Sequence, residues 1–458
     1  MAKITFLGAG STVFCRNVLG DCMCRESLRD SEIALYDIDG TRLKESKAIL
    51  EKMNSSFNEN RARIKCYLGV EKRAAALKGA DFVVNAIQVG GYEPSTVIDF
   101  EIPKKYGLRQ TIGDTLGIGG IFRALRTIPV MMDFARDIEK VCPDAWFLNY
   151  TNPMAMLTGA MLRGSSVKTV GLCHSVQVCI TCLLWGLGLV TKEQLDAGYL
   201  AEDYGYSGLI AGINHMAWLL EVTRDGKDVY PELKRLARAQ VKKHRGNAKH
   251  PKATAYDLVR LQMIEDFGYY VTESSEHNAE YAPFWIKSKY PELIDQYGIP
   301  LDEYPRRCVN QIAGWKKEYA DLKNKATLEH KLSIEYGSAI MDSVVTNTPR
   351  QIGANVLNNG LISNLPADAV VEVPCLVNSK GIHGTYVGRL PVQCAAMNMT
   401  NINVQLLTIE AALTQKKDHI YQAAMLDPHT AAELSIDDIK AMCDDLIKAH
   451  GNMLPKYK

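Results

Sequence analysis

The sequence lacks the features that would direct it to a membrane or to a nucleic acid. No apolar run reaches the roughly 20 residues that a transmembrane helix needs. Lysine and arginine number 53 against 52 aspartates and glutamates, so the basic excess that favours nucleic acid or an anionic lipid surface is missing. The segment MAKITFLGAG has only a short apolar stretch before its glycines, which is not typical of a secretory signal. We therefore expect neither a membrane nor a nucleic acid as partner.

The sequence also lacks a disulfide framework and the common metal-binding helix motifs. Its twelve cysteines are scattered, and several lie inside apolar periodic segments of a chain of 458 residues. The patterns HxxxH and HExxH are absent. A chain of this length is long enough for two domains with sizeable cores. We expect reduced thiols in a compact cytoplasmic enzyme.

The first half alternates short apolar segments with amphipathic ones. The apolar segments, which are predicted strands, are KITFLGAG, IALYDID, RIKCYL, DFVVNAIQVGG, WFLNY and KTVGLC. Near-continuous apolar strands separated by helices are typical of a doubly wound parallel sheet covered on both faces. The pattern predicts an α/β fold with a Rossmann domain over residues 1–190. Ligands bind such sheets beyond the carboxyl ends of the strands.

The second half, residues 191–458, is less regular and predicts an α+β domain. SGLIAGINHMAWLLEV is predicted as strand with a polar centre at Asn214 and His215, and AVVEVPCLVNSKGIHGTYVGRLP as β-rich. The predicted helices are ATAYDLVRLQMIEDFG, LSIEYGSAIMDSVV, VQLLTIEAAL and IDDIKAMCDDLIKAHG.

The end of the first strand carries a partial dinucleotide-binding motif. Gly8 and Gly10 lie where this strand gives way to a helix, and Val13 replaces the third glycine of the motif. Asp37 ends the second strand, where a carboxylate can bind the ribose hydroxyls of NAD. Strand, glycine turn, second strand and acid in this order predict NAD binding. The predicted cofactor site also takes in the start of the helix, Ser11 and Thr12.

Two polar residues near the end of the fourth strand are candidates for the nicotinamide side of the site. They are Asn85 and Gln88. For each residue, an ordinary polar loop position in water is an equally good interpretation.

Further polar clusters are expected at or near the same sheet edge. NYTNP, with Asn152, ends one strand, and LCHS, with Cys173 and His174, ends the next. GDTLGIGG opens a helix, and the segment ESSEHNAEY, which ends at Tyr281, would have to fold over from the second domain. So would His215.

The residue types alone leave the roles of these side chains open. Cys173 could share a divalent cation with His215, but no metal-site spacing links them, and a buried structural cysteine is the better interpretation. His174 could be a helix cap, a surface residue or an acid–base group. For Tyr281 the alternative is an ordinary half-buried tyrosine.

Several long motifs in order resemble glycoside hydrolase family 4. They are ITFLGAGST, LYDID, QVGGYEP, GGIFRALRTIP, LNYTNPMAM, GLCHSVQ, AGINHMAW, TESSEHNAEYAPFW, LPADAVVEVPCLV and MLDPHTAAEL. They cover essentially the whole chain, and the likeness is greatest to the members that cleave α-galactosides.

The resemblance implies an unusual hydrolysis of α-galactosides such as melibiose. Members of this family depend on NAD rather than on a pair of carboxylates. In the family, NAD⁺ takes a hydride from C3 of the sugar, a base removes the acidified C2 proton, and a divalent metal, usually Mn²⁺, stabilises the enediolate. The bond at C1 then breaks by elimination, water adds, and the hydride returns. The resemblance further implies a homodimer or homotetramer.

The resemblance also assigns roles to individual residues. It makes Cys173 and His215 the metal ligands. His174, in Cys-His-Ser, would protonate the leaving oxygen, and Tyr281 would remove the C2 proton. A free tyrosine has a pKa of about 10, so we expect the metal and a nearby cation to lower it. The predicted sugar contacts are Asn152 and Arg307.

Other functions remain open at this point. An α-galacturonidase or α-glucosidase of the same family differs by a few hydrogen bonds in the pocket. Lactate and malate dehydrogenases share the two-domain plan, but neither their arginine clamp for a carboxylate nor a His–Asp pair can be placed. The third alternative is an NAD-sensing protein without catalysis.

Overall fold

The computed structural model describes residues 1–246 and 257–458, which form one continuous sheet of thirteen strands. Six of them are parallel and lie in the order β3-β2-β1-β4-β5-β6. They are β1 (Lys3–Leu7), β2 (Glu32–Asp37), β3 (Arg63–Leu68), β4 (Phe82–Asn85), β5 (Trp146–Asn149) and β6 (Lys168–Gly171). This is the Rossmann order, with its topological switch point between β1 and β4. The predicted doubly wound sheet is confirmed.

The central strands of this half are buried on both faces, as their apolar runs require. The helices of this half are α1 (Thr12–Met23), α2 (Gly40–Phe57), α3 (Arg73–Leu77), α4 (Val97–Lys105), α5 (Gly117–Val141), α6 (Met154–Gly164) and α7 (Ser175–Gly186). Asp39 caps α2 by accepting the backbone N–H groups of Thr41 and Arg42. α5 is buried continuously from Gly117 to Ile128, so it forms the centre of the helical layer rather than its surface.

The remaining strands extend the same sheet with antiparallel pairs. They are β7 (Tyr206–Ile213), β8 (Met216–Arg224), β9 (Lys227–Asp228), β10 (Tyr270–Val271), β11 (Arg350–Leu357), β12 (Val370–Asn378) and β13 (Gly381–Gly384). β11 joins the parallel half by pairing Asn355 with Gly171 of β6, and β12 joins β7 by pairing Glu372 with Gly212.

Eleven helices of the described residues belong to this second half. They are α8 (Lys192–Asp196), α9 (Tyr230–His244), α10 (Leu258–Phe267), α11 (Ser275–Tyr281), α12 (Glu292–Tyr297), α13 (Glu303–Asn324), α14 (Gly337–Thr346), α15 (Val392–Thr414), α16 (Lys417–Leu426), α17 (Pro428–Glu433) and α18 (Ile436–His450). The mixed composition agrees with the predicted α+β half. The boundary near residue 190 stays a prediction, and the first residues of the predicted helix 253–268 lie outside the described residues.

One sequence prediction is wrong in detail. The segment predicted as strand around Asn214 and His215 is the hairpin β7–β8, and these two residues form its turn. The polar pair interrupts two apolar strands that both need burial, so the chain reverses there. No helix among the described residues is long and apolar enough to cross a bilayer.

Candidate active site

The turn after β1 needs a glycine at its first position. Gly8 has φ of +83°, and a Cβ on it would lie 2.6 Å from the carbonyl oxygen of Ala86. The backbone N–H groups of Gly8 and Ala9 both donate to the Tyr36 carbonyl at 3.0 Å. This turn holds the ends of β1, β2 and β4 close together, so the chain enters α1 directly above the switch point of the sheet.

Asp37 lies beside this turn, as the sequence predicts. One carboxylate oxygen accepts the backbone N–H of Gly10 at 2.5 Å, and the other accepts that of Asp39 at 2.8 Å. The Ser11 N–H donates to the Gly8 carbonyl at 2.9 Å, and Thr12 opens α1. The predicted cofactor residues of the first two strands therefore form one contiguous patch at the N-terminus of a helix, the place where such folds hold a pyrophosphate.

The two candidates after β4 have different surroundings. Asn85 is fully buried, and its amide donates to Asn149 Oδ1 at 2.9 Å and to Thr151 Oγ1 at 3.2 Å. It links the ends of β4 and β5, so the interpretation of Asn85 as a loop residue in water is wrong. Gln88 is exposed, and its amide lies 3.5 Å from Thr96 Oγ1.

A sulfur, an imidazole and a carboxylate meet beyond the end of β6. The side-chain donor atoms of Cys173, His215 and Glu273 all lie within 4.8 Å of one another. Glu273 Oε2 is 3.6 Å from His215 Nε2 and 4.0 Å from Cys173 Sγ. The three residues come from the β6–α7 connection, the turn of the β7–β8 hairpin and the segment after β10. A cysteine, a histidine and a carboxylate are a donor set suited to a divalent transition metal.

Glu273 has a strained backbone. Its φ is +67°, a region that costs a non-glycine residue roughly 1–2 kcal/mol. Such strain persists only where the surrounding structure enforces it and is concentrated at functional sites. Burial opposes ionisation of its carboxyl, but the imidazoles of His215, His277 and His174 outweigh this effect and lower the pKa of Glu273 to about 2. The cluster therefore presents a carboxylate at neutral pH.

The pKa values of the cluster thiol and of the neighbouring phenol are shifted the other way, because their surroundings favour the protonated, neutral form. Burial, reinforced by Glu273, raises the pKa of the Cys173 thiol well above its usual value. Burial also raises the pKa of Tyr281, and Glu280 adds to the effect. The carboxylates of Glu280, Asp114 and Glu273 all raise the pKa of Tyr281, so these side chains do not provide the lowering that the resemblance implies. A bound cation would have to supply the positive charge.

Tyr281 and His174 flank the cluster. The Tyr281 hydroxyl lies 3.3 Å from His215 Nδ1 and is fully buried on α11. His174 is the residue before α7, its side chain is half exposed, and its Nδ1 lies 3.9 Å from Glu335 Oε1. The Tyr281 hydroxyl is thus enclosed next to the donor atoms, whereas the His174 imidazole is open to solvent.

Asn152 connects to the cluster through a chain of polar groups. Its amide donates to Asp114 Oδ2 at 3.3 Å, and Asp114 Oδ1 lies 3.8 Å from His277 Nε2. The Nδ1 atom of His277 is in turn 3.6 Å from Glu273 Oε1. The predicted sugar contact therefore belongs to the same constellation.

Arg307 has a more distant position. It lies on α13 with its side chain 47% exposed, and it pairs with Glu276 at 3.2 Å and with Glu303 at 2.6 Å. Neither partner is one of the cation-ligand candidates, so the structure places Arg307 at the rim rather than among the donor atoms.

Three residues of this constellation were missed as individual site residues. Glu273 and His277 lie in the segment ESSEHNAEY, and Asp114 lies in the loop GDTLGIGG; both segments were recognised only as polar clusters. The spacing of Glu273 and His277 by four residues was a signal that could have singled them out.

A Rossmann-type sheet with a thiol, an imidazole and a carboxylate beyond its carboxyl edge is typical of an α/β enzyme, and the three donors are a candidate cation site. Residues 3–188 match the family model described as family 4 glycosyl hydrolase, and residues 210–430 match the model of its C-terminal domain. The chain belongs to this family of glycoside hydrolases. The resemblance found in the sequence motifs is confirmed.

Individual relatives agree with the family assignment. The chain is 59% identical over 458 residues to an alpha-galactosidase of Bacillus subtilis (strain 168). The alignment covers 100% of both chains. It is 34% identical to an alpha-galactosidase of Rhizobium meliloti (strain 1021), over 99% of this chain and 89% of the relative.

Two solved structures show the same fold. One is a 6-phospho-alpha-glucosidase from gut microorganisms in complex with NAD and Mn²⁺, with a TM-score of 0.80 at 20% identity and full coverage of both chains. The other is the 6-phospho-beta glucosidase from Thermotoga maritima with manganese, NAD⁺ and glucose-6-phosphate, with a TM-score of 0.76 at 20% identity, over 99% of this chain and 100% of that one.

Proposed function

We propose that the protein hydrolyses α-galactosides with bound NAD⁺ and a divalent cation, most suitably Mn²⁺, by transient oxidation, elimination and addition of water. The observation that carries the proposal is the Cys173–His215–Glu273 cluster, which lies against Tyr281 beyond the carboxyl ends of a Rossmann sheet. The full-length likeness to two alpha-galactosidases supports the choice of sugar.

The turn after β1 fits a dinucleotide. The approach of Gly8 to Ala86 leaves no room for a side chain, and the nearby N-terminus of α1 offers N–H groups to a pyrophosphate. Asp37 would bind the ribose hydroxyls, with Gly10, Ser11 and Thr12 around the phosphates. Asn85 and Gln88 would border the nicotinamide side, where Asn85 keeps the ends of β4 and β5 together.

The donor set fits a divalent cation. Cys173 and His215 would hold it, and Glu273 would be a third protein ligand, because all three donor atoms converge within 4.8 Å. Three protein ligands leave coordination positions open for sugar hydroxyls. When bound, NAD⁺ supplies a reversible hydride acceptor for C3 of the sugar, and the cation supplies a Lewis acid.

Proton transfers fall to two residues of the chain. Tyr281 would remove the C2 proton, since it is enclosed beside His215, and only added positive charge can lower its pKa toward neutrality. His174 would donate a proton to the leaving oxygen, since its half-exposed imidazole can exchange protons with solvent. Asn152 would contact a sugar hydroxyl, and Arg307 would border the entrance.

The proposal is tested by removing each cofactor. Purified protein kept under reducing conditions should release galactose from nitrophenyl α-galactoside, should lose this activity after removal of either NAD⁺ or the cation, and should regain it on their return. Substrate deuterated at C2 or C3 should react more slowly, and C2 should exchange with solvent during turnover. Full activity without both cofactors would overturn the proposal.

A pair of cysteine variants tests the cation ligand. Cys173→Ser should lose Mn²⁺ binding, measured by electron paramagnetic resonance, together with activity, while it remains folded. Cys179→Ser is the matched control, because Cys179 is also a buried thiol but lies within α7. Retained Mn²⁺ binding in Cys173→Ser would remove Cys173 from the site.

A panel of nitrophenyl glycosides tests the choice of sugar. We expect the α-galactoside to react faster than the α-glucoside and the α-galacturonide. Cleavage of the galacturonide alone would leave the mechanism standing but would reassign the substrate.

The exposed face of α13 supports a homo-oligomer. Of its 22 residues only Glu303 is buried, and Val309 and Ile312 are 50% and 57% exposed. We expect a homodimer or homotetramer in light scattering. The twelve free cysteines favour a reducing, cytoplasmic setting.

A further inference from the structure

A cavity of about 230 Å³ adjoins the candidate active site on the side of His174. One wall is a single face of α7, because His174, Val178, Cys182 and Trp185 recur at helical spacing. The facing wall comes from α10 and from the segment that begins at Glu273. The cavity therefore begins at two groups of the candidate site and extends away from it.

Most of the reacting centre lies outside this cavity, and Glu273 is the proposed cation ligand that also lines its wall. Of the described residues, Cys173, His215 and Tyr281 are not among those that line it. A galactosyl group in contact with the cation ligands and with Tyr281 would occupy the other side. His174 would then lie between the cavity and the galactosyl group. A proton donor to the glycosidic oxygen has to lie at that point.

The lining suits a neutral sugar ring. Trp185 and Val178 supply apolar surface, and the indole of Trp185 is half-buried on the wall. Opposite them, Arg260 and Glu276 offer a guanidinium and a carboxylate, which together donate to and accept from hydroxyl groups. The volume is below the roughly 300–1,000 Å³ of pockets for drug-sized ligands, so it matches one monosaccharide better than a long oligosaccharide.

The guanidinium on this wall is held in place. Arg260 is 4% exposed, its Nε donates to Asp257 at 2.8 Å, and it lies 4.6 Å from the centre of the Tyr270 ring. Asp257 also accepts from Ser275 at 2.6 Å. A fixed cation with remaining donors is a pre-organised partner for a ligand hydroxyl, because little side-chain entropy is lost on binding.

We propose that this cavity binds the aglycone sugar of an α-galactoside and that Trp185 is its principal contact. The inference rests on the proposed function and adds the residues that would recognise the leaving group when that group is a second sugar. Binding energy from a remote part of a substrate lowers the barrier when it positions the reacting bond. The enzyme should therefore favour a disaccharide over a galactoside with a minimal aglycone.

The test compares two substrates with different aglycones. Melibiose has a glucose aglycone that can occupy the cavity, whereas the methyl group of methyl α-galactoside is too small to fill it. Trp185→Ala should lower the ratio of kcat/KM for melibiose to that for the methyl galactoside by about tenfold or more. Trp185→Phe, which keeps an aromatic face, should restore most of the ratio. Val178→Trp, which fills the cavity, should lower the ratio as well. Trp146→Phe is the control, since Trp146 begins β5 at the edge of the sheet opposite the candidate site.

The outcomes separate the two proposals. An unchanged ratio in both Trp185→Ala and Val178→Trp, with cleavage of both substrates intact, overturns the aglycone cavity alone. An equal fall for both substrates in folded variants also overturns it, because the cavity would then act on the galactosyl group. Wild-type protein that cleaves neither substrate with NAD⁺ and Mn²⁺ present overturns the proposed function.

Discussion

Glu372 is a buried acid whose removal should change how stability depends on pH. It lies on β12 with 1% of its surface exposed. One oxygen accepts the side-chain amides of Asn214 and Asn355 at 3.2 and 3.0 Å, while the other is buried without a hydrogen-bond partner among the described residues. Burial raises the pKa of Glu372 from 4.5 to about 7, against the smaller opposing effect of His215.

The sign and size of the effect follow from proton linkage. Between pH 4.5 and about 7 the folded protein keeps a proton that the unfolded chain has released, so the free energy of unfolding falls as the pH rises through this window. At about 1.4 kcal/mol for each pKa unit, the total loss is about 3 kcal/mol and is complete above pH 7. Glu372→Gln carries no titrating proton and should escape this loss.

Urea unfolding at pH 5 and pH 8, with a chelator present, measures the difference. Glu372→Gln should match the wild type near pH 5 and exceed it by about 3 kcal/mol at pH 8. Glu221→Gln is the control, because Glu221 is an exposed carboxylate on β8, which β7 separates from β12 in the same sheet. A difference that does not vary with pH, or one that grows toward acid, would refute the reasoning.

Two further substitutions test the fold and the cofactor turn. Gly8→Ala should lower the free energy of unfolding by about 2 kcal/mol or more, because its Cβ would meet the Ala86 carbonyl and φ is positive. It should also weaken NAD⁺ binding in a fluorescence titration, and unchanged binding would contradict the predicted cofactor site. Asp99→Asn should cost about 3–5 kcal/mol in urea unfolding, because the buried Arg126 that it pairs with at 2.7 Å would lose its counter-ion. Asp144→Asn, at a side chain 96% exposed, should stay within about 0.5 kcal/mol, and an equal loss in the two aspartate variants would rule out the buried pair as the cause.

Much of the first half could be predicted because its signals are local. The runs around Ile4 and Val83 are apolar without alternation, and such strands are stable only when both faces are covered. The order of Gly8, Gly10 and Asp37 relative to these strands predicted one patch, and the structure places them together.

The cation site could not be predicted from residue types. Cys173 alone was better interpreted as a structural thiol, and only the resemblance to a family reversed that interpretation. Asp114 was missed because a single carboxylate in a loop has no periodic pattern, whereas Glu273 had a signal in its spacing from His277. The sequence did not reveal that three carboxylates raise the pKa of Tyr281, because Asp114 comes from a distant loop and joins Glu273 and Glu280 only in the fold.

The amino-acid sequence by itself determined the parallel sheet, the glycine turn and the family. Tertiary structure alone decided which distant side chains meet. β11 and β12 link β6 to β7 through the pairs Asn355–Gly171 and Glu372–Gly212, and this carries the turn with His215 toward Cys173. The physical reason is that periodicity reports which side of an element is buried, whereas the meeting of the donor atoms depends on long-range strand pairing that no local pattern records.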